Sequence, residues 1–195
     1  MTLPYVSGRA EQARWTLSET FAPAPERLAR WERELPSRRR IRAAICWQGN
    51  PGYAADAERS IPVTHFVSLL AEVPGLDLIS LQAGHGSAQL EPFHNLEGVH
   101  SLSRELDADG AFVDSAAVLR CCDLLISSDT AIVHLAGAMG VRTWLALGHR
   151  PDWRWGLQGH STPWYPSLQL FRQPQPQAWN LVFEAIATAL QEHFS

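Results

Sequence analysis

The segment from residue 124 to residue 140 has the clearest potential for chemistry. Its apolar run ends in Ser127-Ser128-Asp129-Thr130, and a helical pattern rich in Ala and Gly begins at Ala131. Because the first-turn N–H groups of a helix lack partners within it, they form, with the helix dipole, a site for anions. Asp129 or Thr130 is suited to cap that helix, and His134 shares a face with Thr130. The pattern is typical either of an anion site or of an ordinary strand, cap and helix with a half-buried histidine.

A second candidate site follows an earlier apolar run, which ends at Trp47. Gly49 and Asn50 belong to a Gly/Asn/Pro turn whose backbone can approach a ligand closely. Arg59 is the only cationic side chain in residues 43–103, and it precedes a helix that Ser60 can cap. Arg59 is therefore a candidate for a charge-assisted bond to a phosphate. The alternative is a surface arginine paired with a neighbouring acid, Asp56 or Glu58.

Three further segments place polar or aromatic side chains after apolar runs. Gln82 lies in a glycine-rich loop, which is either a flexible turn or a contact to a base or ribose edge. Asp114 opens a helix and is suited to be its N-cap. The Trp-rich region 148–167 indicates either a stacking platform for a sugar or base, or the packing of a long loop on the domain.

Composition excludes several classes of protein. All 16 basic residues are arginine, which excludes a Schiff-base lysine and a P-loop lysine. Residues 43–195 carry seven Arg against fifteen acidic residues, and this acidic balance argues against nucleic-acid binding. Three Cys without a CxxC pair and eight scattered His predict neither a disulfide scaffold nor a metal site. We find no signal peptide and no membrane-length apolar run, so the sequence predicts a cytoplasmic location.

Short apolar runs alternate with helical patterns from residue 41 onward, which is typical of βαβ units and a parallel sheet. We predict an α/β fold: a single Rossmann-like, doubly wound parallel sheet of five or six strands in residues 41–195. Residues 1–40 form an Arg/Pro-rich lead-in segment with one helix. Strands are predicted at 41–47, 76–81, 99–102, 124–127, 143–147 and 168–171. Helices are predicted at 25–35, 63–73, 87–93, 113–121, 131–139 and 178–194. Ligands of such sheets lie at the carboxyl ends of the strands.

Six motifs together resemble the C-terminal half of bacterial family 9-like glycosyltransferases, the relatives of lipopolysaccharide heptosyltransferases that are often fused to tetratricopeptide repeats. The resemblance covers roughly residues 20–193. The motifs are Trp47-x-Gly49-Asn50-Pro51, Arg59-Ser60-Ile61-Pro62, Ser80-Leu81-Gln82, Ser128-Asp129-Thr130-Ala131-x-x-His134-Leu135-Ala136-Gly137-Ala138, Asp152-Trp153-Arg154-Trp155 and Pro163-Trp164-Tyr165-Pro166.

The resemblance implies the donor-binding half of a GT-B fold, which binds a nucleotide-diphosphate sugar for metal-independent glycosyl transfer and needs no cofactor. It implies that Asp129 contacts sugar hydroxyls, and that Thr130 and the N–H groups of 130–132 hold the diphosphate. The other implied donor-site residues have supporting roles. His134 supports the diphosphate site, Arg59 beside Ser60 neutralises charge, Gly49 and Asn50 border the phosphates, and Gln82 and Asp114 lie near the nucleoside.

The chain departs from that family in two respects. Tyr53-Ala54-Ala55 replaces a basic residue that many relatives carry after Asn50. The catalytic base and acceptor site of such enzymes usually belong to an N-terminal domain, so we expect an acceptor or tetratricopeptide domain as a partner, in cis or in trans. The sequence identifies no catalytic residue. The alternatives are a non-catalytic nucleotide-sugar-binding or interaction module and, more remotely, a nucleotide-sugar epimerase.

Overall fold

A computed structural model describes residues 22–102 and 106–194. Its helices are α1 (Pro25–Glu34), α2 (Asp56–Arg59), α3 (Val63–Glu72), α4 (Val113–Cys121), α5 (Ala131–Ala138) and α6 (Trp179–His193), with 3-10 helices at Ser87–Phe93 and Trp153–Trp155. Its strands are β1 (Ile41–Cys46), β2 (Leu76–Ser80), β3 (Val99–Ser101), β4 (Leu124–Ser127), β5 (Thr143–Leu147) and β6 (Leu168–Arg172). The short helix α2 and the second 3-10 helix were not predicted from the sequence.

Within the described residues, six strands form one parallel sheet in the order β3-β2-β1-β4-β5-β6. Strand β1 lies between β2 and β4, so the chain reverses its direction of winding there. The carboxyl ends of β1 and β4 consequently border one crevice, at the topological switch point where ligands of such sheets bind. The predicted doubly wound parallel sheet is confirmed, with six strands.

Helices cover both faces of the sheet, which explains why its four inner strands are mostly apolar. Every residue of β1, β2, β4 and β5 is buried. On one face α3 packs against α6, where the rings of Phe66 and Phe183 meet at 4.8 Å. On the other face, Trp31 of α1 and Val133 of α5 belong to a second apolar cluster. Burial on both faces fixes the strands that carry the crevice loops.

Helix α1 is fastened to α4 by a buried polar contact. Trp31 is only 2% exposed, and its indole N–H donates to Asp114 Oδ1 at 3.0 Å. Arg27 Nη1 donates to the same oxygen at 2.8 Å, while Oδ2 accepts the backbone N–H of Asp107. The N-cap of α4 is Phe112, in the left-handed region at φ 66°, and Asp114 lies in the first helical turn. The prediction that Asp114 caps α4 is therefore wrong, because its carboxylate faces α1.

We expect Asp114→Asn to lower the free energy of unfolding at pH 7 by about 1–3 kcal/mol, because it removes charge-assisted hydrogen bonds. Burial raises the pKa of the Asp114 carboxyl, but the hydrogen bonds from Trp31 and Arg27 outweigh it and lower the pKa below its ordinary value. A carboxyl whose pKa is lowered in the folded state contributes stability that is fully present above its unfolded pKa of about 3.9. This stability is lost as the pH falls toward and through the folded-state pKa. Urea titrations at pH 7 and pH 3 should therefore show the deficit shrinking at pH 3.

The exposed Asp109, which also pairs with Arg27, supplies the matched control. Asp109→Asn should change the unfolding free energy by no more than about 0.5 kcal/mol at either pH, as is usual for a surface ion pair. A deficit for Asp114→Asn that is equal at both pH values would contradict an ionic role for its carboxylate.

Candidate functional site

A cavity of about 530 Å³ opens at the carboxyl ends of β1, β4 and β5. The loop after each strand supplies part of its wall. Its polar and aromatic lining consists of Tyr53, Glu58, Arg59, Asp129, Arg150, Asp152 and Arg154. The cavity therefore combines three guanidinium groups with three carboxylates, and it has the size of a small-molecule site.

Arg59 connects the β1 loop to the β4 loop. Its Nε lies 3.0 Å from Asp56 Oδ1, and its Nη1 donates to the backbone carbonyl of Asp129 at 2.9 Å. The guanidinium lies over the ring of Tyr53, 4.8 Å from the ring centroid. The sequence left two alternatives for Arg59, a pair with a neighbouring acid or a position at the candidate site. The structure shows both, because Arg59 pairs with Asp56 and also lines the cavity.

Ser60 ends α2 and does not cap the next helix. Its hydroxyl donates to Asp56 Oδ2 at 2.9 Å, and Pro62 occupies the N-cap position of α3. The prediction that Ser60 caps α3 is wrong because the buried carboxylate of Asp56 orients its hydroxyl. Asp56 consequently holds both Ser60 and Arg59, the two neighbours predicted to serve the site.

The turn at Gly49 and Asn50 lies beside these groups. The Gly49 N–H donates to Ser60 Oγ at 3.4 Å, and the exposed Asn50 accepts the N–H of Gly52 through its own side chain at 2.9 Å. A Cβ on Gly49 would overlap with Arg59 Nη2 and lie 2.6 Å from Asp56 Oδ1. A side chain at this position would therefore have to displace the guanidinium of Arg59.

Gly49→Ala should destabilise the chain by about 1–3 kcal/mol, since the new methyl group must displace the guanidinium from its bonds to Asp56 and Asp129. Thermal unfolding measures the effect. Gly52→Ala is the control, because a Cβ there meets only the exposed Asn50 amide at 3.2 Å. Equal melting temperatures for the two variants would show that Arg59 is not held in this position.

Asp129 is a buried carboxylate that faces the cavity. It is 8% exposed, and within the described part of the chain its carboxylate accepts no hydrogen bond and forms no ion pair. A carboxylate that opens on a cavity and has no donor among the described residues is free to accept hydrogen bonds from a ligand. Ser128, next to it, is fully buried with a hydroxyl that has no partner among the described residues.

Thr130 stands at the N-cap position of α5, but no side chain caps this helix. Its hydroxyl points inward, 3.3 Å from Ser127 Oγ and 3.7 Å from Cys46 Sγ. Burial raises the pKa of the Cys46 thiol to about 11, so this thiol stays protonated. Thr130 therefore occupies the predicted N-cap position, but its side chain does not cap the helix. Ala131 is exposed in the first turn of α5, whose N–H groups are left without a side-chain partner.

His134 supports the site from behind rather than lining the cavity. Its ring stacks on Trp155 with centroids 5.4 Å apart, and its Nδ1 lies 3.2 Å from the Tyr165 hydroxyl. Burial, together with the charge of Arg154, lowers the pKa of His134, so the imidazole is neutral at pH 7. Tyr165 in turn lies where a Cβ of Gly137 would be. These contacts fasten the Trp-rich region to α5.

Gln82 and Asp114 lie apart from the cavity lining. The Gln82 side-chain oxygen accepts the N–H groups of Trp47 and Gln48 at 3.0 and 2.9 Å, and its amide donates to the carbonyls of Gln48 and His85. The side chain of Gln82 thus joins the loops after β1 and β2, and the Asp114 carboxylate binds residues of α1.

Of the predicted site residues, Arg59 and Asp129 line the cavity. Six others, Gly49, Asn50, Ser60, Ser128, Thr130 and Ala131, belong to the two loops that carry them.

Sequence reasoning missed the polar side chains of the loop after β5 as site residues. Arg150, Asp152 and Arg154 all line the cavity, and Tyr53 faces them from the β1 loop. The signal was present, because ligands are expected at the carboxyl ends of the strands and the loop after Leu147 carries two arginines. The aromatic residues of that loop were instead interpreted as a stacking platform or as packing of the loop. In the structure, Trp155 is buried, and Trp153 meets Trp164 edge to face at 6.3 Å.

Two further properties concern the described residues alone. No group of three or more His, Cys, Asp or Glu side chains is placed to hold a metal ion there. No helix among them is long and apolar enough to cross a membrane.

Comparison with known proteins shows a similarity of sequence to one protein and a similarity of fold to several solved structures. No family model matches the sequence. Protein FlbA of Caulobacter vibrioides is 27% identical over 175 residues, which is 87% of this chain and 28% of FlbA.

Solved structures of heptosyltransferases share the fold. Escherichia coli heptosyltransferase WaaC with ADP matches 85% of this chain and 48% of its own, with a TM-score of 0.60 and 16% identity. E. coli ADP-heptose heptosyltransferase II matches 87% and 53%, with a TM-score of 0.56 and 14% identity. The family 9 glycosyltransferase of Veillonella parvula matches 85% and 45%, with a TM-score of 0.58 and 12% identity. The chain has the fold of about half of each of these proteins.

Proposed function

We propose that this chain is the donor-binding half of a glycosyltransferase and that it binds a nucleotide-diphosphate sugar at the carboxyl ends of β1, β4 and β5. The carboxylate of Asp129 carries this proposal, because it has no partner among the described residues and faces a polar cavity beside the uncapped start of α5. A carboxylate in that setting suits a ligand that is rich in hydroxyl donors. The shared fold of heptosyltransferases, one of them solved with ADP, agrees with this ligand class.

The proposed reaction is glycosyl transfer without a metal ion. An acceptor hydroxyl loses its proton to a base and attacks the anomeric carbon, while the bond from that carbon to the diphosphate oxygen breaks and the diphosphate leaves with the electron pair. N–H groups at the start of α5 and the guanidinium groups of the cavity stabilise the leaving charge. Asp129 orients the sugar through its hydroxyl groups. His134 stays neutral and keeps the β5 loop against α5.

The acceptor and the base are proposed to come from a second domain. The chain matches only about half of each heptosyltransferase, and 28% of FlbA. We propose an acceptor domain or a tetratricopeptide-repeat domain as the partner, joined in cis or in trans, and a cytoplasmic setting in which nucleotide sugars are present.

Calorimetric titration of the full chain with ADP-, GDP- and UDP-sugars tests the proposal. We expect at least one of them to bind, with an affinity that EDTA leaves unchanged. If none of the nucleotide sugars in the panel binds, the donor site is refuted. Binding without transfer, even after the partner domain and its acceptor are supplied, would instead favour a non-catalytic nucleotide-sugar-binding module.

A further inference from the structure

We propose that Arg150 and Arg154, in the loop after β5, form the phosphate-binding subsite of the cavity, and that Arg59 holds the cavity walls together instead. This inference rests on the proposed function for the identity of the ligand. It differs from the sequence interpretation, in which Arg59 neutralises the diphosphate. The three arginines of the cavity differ in how many hydrogen bonds and ion pairs each guanidinium group already forms within the protein.

Arg59 is engaged on three sides by the protein. Its Nε is bound to Asp56, its Nη1 donates to the Asp129 carbonyl, and its Nη2 lies against Gly49, where a methyl group would not fit. Tyr53 covers a face of the guanidinium. A phosphate at Arg59 would compete with Asp56 for the guanidinium charge, and the Nη1 bond to Asp129 joins α2 to the β4 loop.

Arg154 is oriented by the protein, but its terminal nitrogens are not used by it. Asp152 Oδ1 accepts the backbone N–H of Arg154 at 3.0 Å and lies 3.3 Å from Nε, an ionic contact without hydrogen-bond geometry. The indole N–H of Trp164 donates to the Arg154 carbonyl at 2.9 Å, which fixes the backbone. Within the described residues, Nη1 and Nη2 have no acceptor. A pre-oriented guanidinium with a free fork is the group that binds phosphate bidentately.

Arg150 is exposed at the rim of the same cavity and, among the residues described, has neither an ion-pair nor a hydrogen-bond partner. The loop that carries it is held close to α2, because a Cβ on Gly148 would overlap with the carbonyl oxygen of Glu58. Arg150 therefore lines the cavity in a loop that lies against α2. Its long side chain reaches an anion without breaking any contact of the folded chain.

The carboxylates of the cavity set the orientation of the ligand. Asp129 has no cation paired with it, so it repels a phosphate and attracts hydroxyl donors. The sugar therefore lies beside Asp129, and the diphosphate extends from the start of α5 toward Arg150 and Arg154. This arrangement puts the leaving group on the β5 loop, which is fastened to α5 by His134 and Tyr165.

Binding of inorganic pyrophosphate to the full chain tests the subsite without any nucleoside or sugar. We expect Arg150→Gln and Arg154→Gln each to weaken pyrophosphate binding by about tenfold, as for the loss of a charge-assisted bond. Arg154→Lys keeps the charge but loses the fork, so it should restore part of the affinity. Arg142→Gln is the matched control, because Arg142 precedes β5 at the opposite edge of the sheet.

His134 provides a local readout of where the anion binds. The charge of Arg154 contributes to the low pKa of His134, so an anion bound at Arg154 should raise that pKa in an NMR titration. The pKa of His65, on α3, is lowered by burial alone and should not change. A purely structural role of Arg154 would leave the pKa of His134 insensitive to pyrophosphate.

The outcomes separate this inference from the proposed function. Affinities of Arg150→Gln and Arg154→Gln equal to that of the unmodified chain would overturn the subsite, while binding of nucleotide sugars would still support the donor site. Pyrophosphate binding that depends on both arginines, without binding of any nucleotide sugar, would keep the subsite and refute the donor site. Absence of binding for both ligands would overturn both.

Discussion

Trp31→Ala is expected to lower the free energy of unfolding by about 3–5 kcal/mol, the usual cost of removing a large buried aromatic side chain. The indole belongs to the apolar cluster beneath α1 and α4, so its loss leaves a cavity there. It also removes the N–H donor to the buried Asp114 carboxylate. The two losses add to each other because the carboxylate stays buried while it loses one of its partners. Denaturation by urea, followed by far-UV circular dichroism, measures the change.

Trp153→Ala is the matched control. Trp153 is 56% exposed in the β5 loop, so its removal should change the unfolding free energy by less than about 1 kcal/mol. If the two tryptophan variants are equally stable, α1 does not share the core of the sheet. The expected difference would show that the helix predicted at 25–35 is structurally part of the domain, even though its sequence reads as a lead-in segment.

Asp129→Asn is expected to weaken binding of the nucleotide sugar by about 10- to 100-fold, because a neutral amide replaces a charged acceptor of the sugar hydroxyls. The same substitution should leave the unfolding free energy nearly unchanged, since it breaks no hydrogen bond or ion pair of the described residues. Loss of affinity combined with retained stability is typical of a binding residue. Calorimetry and urea denaturation on the same preparation measure both quantities.

Glu184→Gln makes the same chemical change at an exposed position of α6 and should alter neither quantity. A loss of stability in Asp129→Asn would mean that the carboxylate is structural. Unchanged affinity would remove Asp129 from the donor site.

The fold could be predicted from the sequence to a large extent because its strands are buried on both faces. The runs ending at Cys46, Ser127 and Leu147 are mostly apolar, and each is followed by a turn or the start of a helix. Helix α2 escaped prediction because it has four residues, too few for any periodic pattern. Its existence depends on the buried Asp56, which binds Arg59 and Ser60 within the same turn.

The orientation of the polar side chains could not be predicted, because it depends on partners far away in the chain. Asp114 has the local pattern of an N-cap, but it is engaged by Trp31, 83 residues earlier. Gln82 is drawn to the backbone at 47 and 48, and Arg59 to the carbonyl of Asp129, 70 residues later. Sequence placed the right loops at one edge of the sheet, whereas tertiary contacts decided which side chains face the cavity.

Amide chemical-shift mapping of the full chain with its tightest-binding nucleotide sugar tests the central claim most directly. We predict that the largest changes occur at the carboxyl edge of the sheet, in residues 49–50, 129–132 and 148–154. Gly75, Gly98 and Arg142, which precede β2, β3 and β5 at the opposite edge, should not change. No shift at saturating ligand, or the largest shifts at the opposite edge, would contradict a donor site at the ends of β1, β4 and β5.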